Sequence, residues 1–413
     1  MIGNLYGQKR GKILFTACWA VYFCVYAGRL NYSAAMVWLI DAGLLSKTEA
    51  GLVASCFFAA YGLSQVFAGY IGDRVSPFKM VFAGVALSSL CNFSMALFSG
   101  TFALCVFWGL NGVVQALIWA PIIRIISQVL PPEMRFKASV DIVASVPAGT
   151  IFTYFLSTLL LKYFSWRSVF YSAGIILAVI SIFWLVCTAS GRQYFAPEEE
   201  NEKAADEPPK KHKKGDKKLF WGIIVILIFP VLLHGMLKDS VTAWFPVFLT
   251  ESHNIAPSFA VFITILLPVV NIFGIYAAKY ILLKLKKNEL LACSFFFLAC
   301  FAALALMFGL GRYNLFAAAF FAAAATAGMT GANVVLISVL PAYFGKIGLT
   351  STITGVLNSL IYAGSALSVT SSGKIVERFG WGMTALVWCL AAGAGVILCF
   401  VLKNAWLDKK GRL

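Results

Sequence analysis

Long apolar runs separated by short polar interruptions dominate this chain. Residues 171–186, YSAGIILAVISIFWLV, contain no charged side chain at all. A helix of about 20 such residues crosses the hydrocarbon of a bilayer and satisfies its own backbone hydrogen bonds there. Repeated along 413 residues, the pattern leaves one broad fold class, an all-α membrane protein. Strand-type alternation is missing, so a membrane β-barrel does not fit. Only 12% of the residues are charged, where about 25% is usual for a soluble protein.

Twelve spans are expected, over 13–40, 49–72, 79–98, 101–128, 138–162, 166–189, 219–249, 256–283, 288–310, 313–341, 349–374 and 379–402. Between the sixth and seventh lies GRQYFAPEEENEKAADEPPKKHKKGDKK, acidic and then basic, with almost nothing to bury. That composition reads as a flexible linker. It divides the chain into a six-helix bundle over 1–189, a linker over 190–218 and a second six-helix bundle with a short tail over 219–413. The two halves echo each other. VLP at 129–131 returns at 339–341, FSW at 164–166 returns as FGW at 379–381, and Arg29 in span 1 is answered by Lys238 in span 7. Such duplication predicts two pseudo-symmetric bundles with a solute site between them.

The net charge of +16 does not indicate nucleic acid. Most of the 33 lysines and arginines fall on the side of the linker and both termini. This is the bias of a multispanning protein whose basic loops face the cytoplasm. A multi-pass protein of the cell (inner) membrane with cytoplasmic termini is expected, its first span retained rather than cleaved. All ten cysteines lie within spans and none forms C-x-x-C, so they read as packing residues rather than disulfides or metal ligands. No metal, cofactor or ATP-driven pump signature is present, and no nucleophile–base motif, so an enzyme is not expected.

Arg29 lies near the middle of span 1, in VYAGRLNYSAAM. A charge at that depth is costly and normally faces a cavity or a partner. Tyr22, Tyr26 and Arg29 stand at i, i+4, i+7 and share a face. Either a solute or a structural ion pair would explain Arg29. Lys238 carries the same two readings, with Asp239 as the nearest carboxylate, although adjacent helical residues point about 100° apart. Asn111, Gln115 and Trp119, at i, i+4, i+8, are candidates to line a cavity, and Trp119 fits a packing role equally. His234, one turn before Lys238, is a candidate proton relay or a packing histidine. Asn333, Asn358 and Tyr362 are further candidate hydrogen-bonding groups.

Several stretches resemble a known family. GYIGDRVSPFK, 69–79, resembles the loop signature of the major facilitator superfamily, G-x-x-x-D-R-x-G-R-K. Gly69, Gly72, Asp73 and Arg74 would form a latch between helix ends, with Arg124 and Asp141 at similar depth. The matching stretch of the second half keeps Gly274 and Lys279 but has Ala278 in the Asp position, so no second latch is expected. Within the superfamily, YAGRLNYSAAM and LNGVVQALIWAPIIR (110–124) are similar to the organophosphate:phosphate antiporters, the glycerol-3-phosphate and hexose-phosphate transporters. DRVSP resembles the D-R-S-N-P turn of that family.

That resemblance implies the major facilitator fold, with phosphate held between basic residues of helices 1 and 7, here Arg29 and Lys238. Other family positions differ. Gln65 stands for a helix 2 lysine, Ala144 for a helix 5 histidine, and Ala243 for an aspartate. Lysine also lacks the bidentate fork of arginine. The expected function is secondary active transport of a small organic anion, with an organophosphate exchanged for phosphate as one form. Proton-coupled symport through Asp239, Asp141 or His234 is an alternative, as is a transporter-like sensor of sugar phosphate. A monomer is expected, with the bilayer, the anionic solute and a phosphate or proton counter-ion as partners.

Overall fold

A computed structural model describes residues 2–72, 75–126, 130, 132–189, 214–285, 288–347 and 350–411. Among these the chain is helical almost throughout. Before the linker run α1 (Ile2–Val25), α2 (Ala27–Asp41), α3 (Lys47–Gly72), α4 (Pro77–Leu97), α5 (Thr101–Arg124), α6 (Pro132–Asp141), α7 (Ser145–Tyr163) and α8 (Trp166–Ala189). After it run α9 (Lys214–His253), α10 (Pro257–Thr264), α11 (Leu266–Lys284), α12 (Glu289–Gly309), α13 (Leu315–Asn333) and α14 (Thr350–Lys410).

Among the described residues, ten stretches are long and apolar enough to cross a membrane. Three expected spans are each interrupted. Span 1 is split at Tyr26 into α1 and α2, span 5 is α6 and α7 joined by a short 3-10 turn, Ile142–Ala144, and span 8 is split at Ile265 into α10 and α11. The longest helix, α14, is two passes joined at Gly380, where φ is +74°. A left-handed backbone there suits glycine, which has no side chain to clash. The fold-back is confirmed by Trp388 Nε1, which donates to Ser372 Oγ at 3.0 Å. Sixteen residues of straight helix would separate them by about 24 Å. With α3, 26 residues long, the arrangement is compatible with twelve passes. The FSW and FGW echoes now have a structural meaning, since Phe164–Ser165 and Gly380 each reverse the chain between two long helices.

The bundle surface is apolar, with Phe102, Phe316 and Leu63 among its exposed side chains, as expected of helices facing lipid. Close helix approach depends on small residues. A β-carbon on Gly235 would collide with the Ile361 carbonyl, and one on Gly364 with the Leu232 carbonyl. These two glycines bring α9 and α14 into backbone contact next to Lys238 and Tyr362.

Between described residues, the hydrogen bonds that join the two halves occupy one end and the middle of the bundle. Lys47 Nζ pairs with Glu251 at 2.9 Å, and the Thr48 N–H donates to Glu377 at 2.8 Å. One step deeper, Thr370 Oγ1 donates to Ser55 Oγ at 2.7 Å, and Ser359 Oγ donates to the Gly62 carbonyl at 3.0 Å. Thus α3 and α14 are zipped together from the end opposite the linker inward, to a turn past Arg29 and Tyr362.

Candidate functional site

Arg29 is held from behind. The helix break at Tyr26 leaves the Arg29 and Leu30 amides both on the Tyr26 carbonyl, at 3.2 and 3.1 Å. The preceding carbonyl, of Gly28, accepts from Asn111 Nδ2 at 2.8 Å, Gln115 Nε2 at 2.9 Å and, more weakly, Asn92 Nδ2 at 3.4 Å. Asn31 Nδ2 donates to Asn92 Oδ1 at 2.7 Å, and Ser88 Oγ to Asn111 Oδ1 at 2.6 Å. These buried amides bind α2 to α4 and α5. The donors named are all engaged, while Asn31 Oδ1 and Gln115 Oε1 are buried without a protein partner. The cluster sets the position of the next residue, Arg29.

The guanidinium points forward into an aromatic enclosure. Nη2 donates to Tyr362 Oη at 2.8 Å and Nη1 to Tyr61 Oη at 3.4 Å. Its carbon lies 4.3 Å from the Tyr61 ring centre, 5.7 Å from Phe57, 5.8 Å from Tyr362 and 5.9 Å from Tyr26. Faces of aromatic rings attract a cation at these distances. Tyr22 stands edge-on to Tyr26 at 5.7 Å and lies against Trp119 at 4.5 Å. Among the described residues no carboxylate comes within ion-pair distance of Arg29. The structural ion pair considered for it is therefore not formed between described residues.

The second half presents a different chemistry. Lys238 Nζ lies 3.8 Å from Asp239 Oδ1, and Asp239 Oδ2 accepts from Ser365 Oγ at 2.6 Å. Both halves meet in one place, because Tyr26 lies within electrostatic reach of Arg29 and of Lys238. Tyr362 likewise lies near both Arg29 and Asp239. Tyr154 of α7 is fully buried near Asp239 and its hydroxyl has no protein partner. His234 is also fully buried, with Nε2 3.1 Å from Asn333 Oδ1 and Nδ1 without a partner.

Of the expected site residues, Arg29, Tyr22, Tyr26, Tyr362, Lys238 and Asp239 are brought together. Gln115 is not at the cavity surface; only 2% of it is exposed, and its amide is taken by the Gly28 knot. Trp119 backs Tyr22 rather than Arg29. Gln65 and Asn358 are half-buried, and His234 and Asn333 form their own pair. Tyr61, Phe57, Ser365 and Tyr154 were not anticipated. Tyr61 stands four residues before Gln65, on the same helical face, and that spacing was the available signal.

The expected latch is only partly visible. Asp73 and Arg74 lie outside the described residues, while Gly69 and Gly72 close α3. Arg124 Nη1 reaches the Val75 carbonyl at 3.4 Å, tying α5 to the motif's loop, and Asp141 ends α6. The linker at 190–213 also lies outside the described residues.

A half-buried cation bonded to two tyrosine hydroxyls, with a second cation near the same tyrosine cluster, can bind an anion and orient it. No group of three metal-ligating side chains occurs among the described residues.

Comparison with known proteins agrees with this architecture. The model of the Major Facilitator Superfamily matches residues 18–369. A glycerol-3-phosphate transporter of Haemophilus influenzae is 35% identical over 124 residues, 29% of this chain and 26% of that protein. The membrane sensor protein UhpC of Escherichia coli is 29% identical over 110 residues, 27% of this chain and 25% of that protein. These alignments span about a quarter of the relatives' length. A solved bacterial homolog of the human lysosomal transporter Spinster superposes with a TM-score of 0.72 at 16% identity, covering 96% of each chain.

Proposed function

Because the chain belongs to the Major Facilitator Superfamily, we propose that this transporter moves a small organic anion by alternating access, with Arg29 as the group that docks it. The observation that carries this reading is the Arg29 guanidinium, deep in the bundle, hydrogen-bonded among the described residues only to neutral tyrosine hydroxyls. A guanidinium so placed retains a strong demand for an anionic acceptor. Matched stretches in glycerol-3-phosphate transporters favour an organophosphate as the solute, with phosphate as exchange partner.

The geometry supplies a cycle. With the Lys47, Glu251, Thr48 and Glu377 end closed, a solute enters from the linker side and meets Arg29 from the first half and Lys238 from the second. Bound between the halves, it neutralises positive charge that would otherwise have to be carried through the low-dielectric core. Tyr362 lies on α14, which also carries the closure at the far end. Solute that engages Arg29 competes for the Tyr362 hydrogen bond and so acts on the helix pair that must separate. A ligand shifts such an equilibrium only through differential affinity for its two states.

A second reading, proton coupling, draws on Asp239. This carboxylate, beside Lys238 and in the same chamber as Arg29, is placed to take up a proton when the solute claims Lys238.

The test is counterflow in proteoliposomes loaded with phosphate. Labelled phosphate enters by exchange, and glycerol 3-phosphate, hexose phosphates or carboxylates compete for it. Trans-stimulated, saturable uptake supports the carrier reading and the competition order names the solute class. Uptake driven by a pH gradient without any internal anion would favour proton coupling instead. Binding with no flux, in vesicles of folded protein, would favour a sensor.

A further inference from the structure

The charge of the chamber can be counted, and the count restricts the solute. Among the described residues, the charged side chains in the middle of the membrane-spanning stretches, away from the Gly380 turn, are Arg29, Lys238 and Asp239. The remaining charges of those stretches lie toward their ends, as Lys12, Arg124 and Glu289 do, or beside the Gly380 turn, as Lys374 and Glu377 are. His234 has an acceptor, Asn333 Oδ1, for one ring N–H, and its other nitrogen meets no acceptor. One proton therefore suffices and the imidazole is neutral. Two cations and one carboxylate leave the chamber at +1.

The carboxylate is part of the chamber rather than a remote neighbour. Asp239 lies 3.8 Å from Lys238, is fixed by Ser365 at 2.6 Å, and lies within electrostatic reach of Tyr362, which Arg29 hydrogen-bonds. A divalent anion placed between Arg29 and Lys238 would sit against this fixed negative charge. It would also leave the loaded chamber at −1, and net charge in a low-dielectric interior is costly. A monovalent anion brings the loaded chamber to zero, the state that crosses the membrane at least cost.

Resting on the anion-carrier reading above, we infer that the solute site takes a singly charged anion. Among phosphate compounds that means a diester rather than a divalent monoester, and among carbon acids a monocarboxylate. The Tyr22, Tyr26, Tyr61 and Phe57 rings suit the uncharged body of such a solute.

A matched pair of probes tests this. Glycerol 3-phosphate and its phosphate methyl ester differ by one charge at about pH 8, because the second ionisation of a phosphate monoester lies near 6. Binding is read as ligand-induced thermal stabilisation of the full-length protein in detergent, with benzoate as the carboxylate arm. The methyl ester or benzoate is expected to bind about tenfold more tightly than glycerol 3-phosphate at that pH. Lowering the pH to about 5, where the monoester becomes monovalent, should close the gap. Whichever of the two monovalent probes binds identifies the source of the charge. Equal or tighter binding of divalent glycerol 3-phosphate overturns the inference.

The Asp239→Asn variant raises the chamber to +2 and is expected to move the preference about tenfold toward the divalent probe. An unchanged preference in folded Asp239→Asn protein also overturns it, and if that variant does not fold, the wild-type pair still decides. Stabilisation by no anion of either valence would count against the anion-carrier reading itself, a result distinct from a preference for the dianion.

Discussion

Arg29 and Lys238 answer each other in the sequence repeat, yet their surroundings differ. Arg29 is enclosed by rings and hydroxyls, with no carboxylate in ion-pair range among the described residues. Lys238 has a carboxylate beside it, held by a serine. The first is a cation kept under electrostatic demand, with its position fixed by the amide knot at Gly28. The second is a cation with its own countercharge. A duplicated fold can thus keep the placement of a charge while changing its availability, because availability depends on neighbours contributed by other helices.

The sharpest way to break this contrast is to remove the uncompensated charge. Arg29→Gln is expected to lower transport about a hundredfold, since truncating a buried charged anchor costs about 2–5 kcal/mol. Counterflow in proteoliposomes of folded variant would show it, and retained transport would end the argument for Arg29 as the docking group. Next comes Lys238→Met, expected to lower transport about tenfold by leaving Asp239 unpaired near the anion. Adding Asp239→Asn to it restores the net charge and should recover part of that loss. If the double variant is as impaired as Arg29→Gln, the two halves contribute equally and the contrast fails.

A smaller effect is expected from Gln115→Ala. It leaves the Gly28 carbonyl with fewer donors in an apolar interior, at about 1–2 kcal/mol, read as a lower midpoint of thermal unfolding. Transport should fall as well, because Arg29 loses part of its backing. The mildest is Tyr362→Phe, which removes one neutral acceptor and should alter apparent affinity only about threefold to tenfold. If Arg29 gains its demand for an anion from its surroundings, this change raises affinity, since the guanidinium then has one fewer partner.

Much of this was legible in the residues. Arg29 in an apolar run, with Tyr22 and Tyr26 at helical spacing before it, marks the chamber from one span alone, although the helix breaks at Tyr26. The position of Lys238 followed from the repeat. Gln115 was misread because i, i+4, i+8 spacing reveals a shared face and not what that face meets. Its face met a backbone carbonyl of α2. Tyr61, Ser365 and Tyr154 escaped for the same reason, since each acquires its meaning from a residue far away in sequence.

Sequence alone therefore determined the solvent of this protein, its helical class and the placing of its long apolar stretches. All of these depend on local composition and on hydrogen bonds made within a segment. Only the tertiary structure decided that, among the described residues, Arg29 meets no carboxylate while Lys238 has one, and that α3 and α14 close one end. It also decided that one carbonyl, of Gly28, gathers the amides that hold the site. These are contacts between helices, and in a bilayer such contacts depend on the shape and hydrogen bonding of paired surfaces, which no single stretch of chain contains.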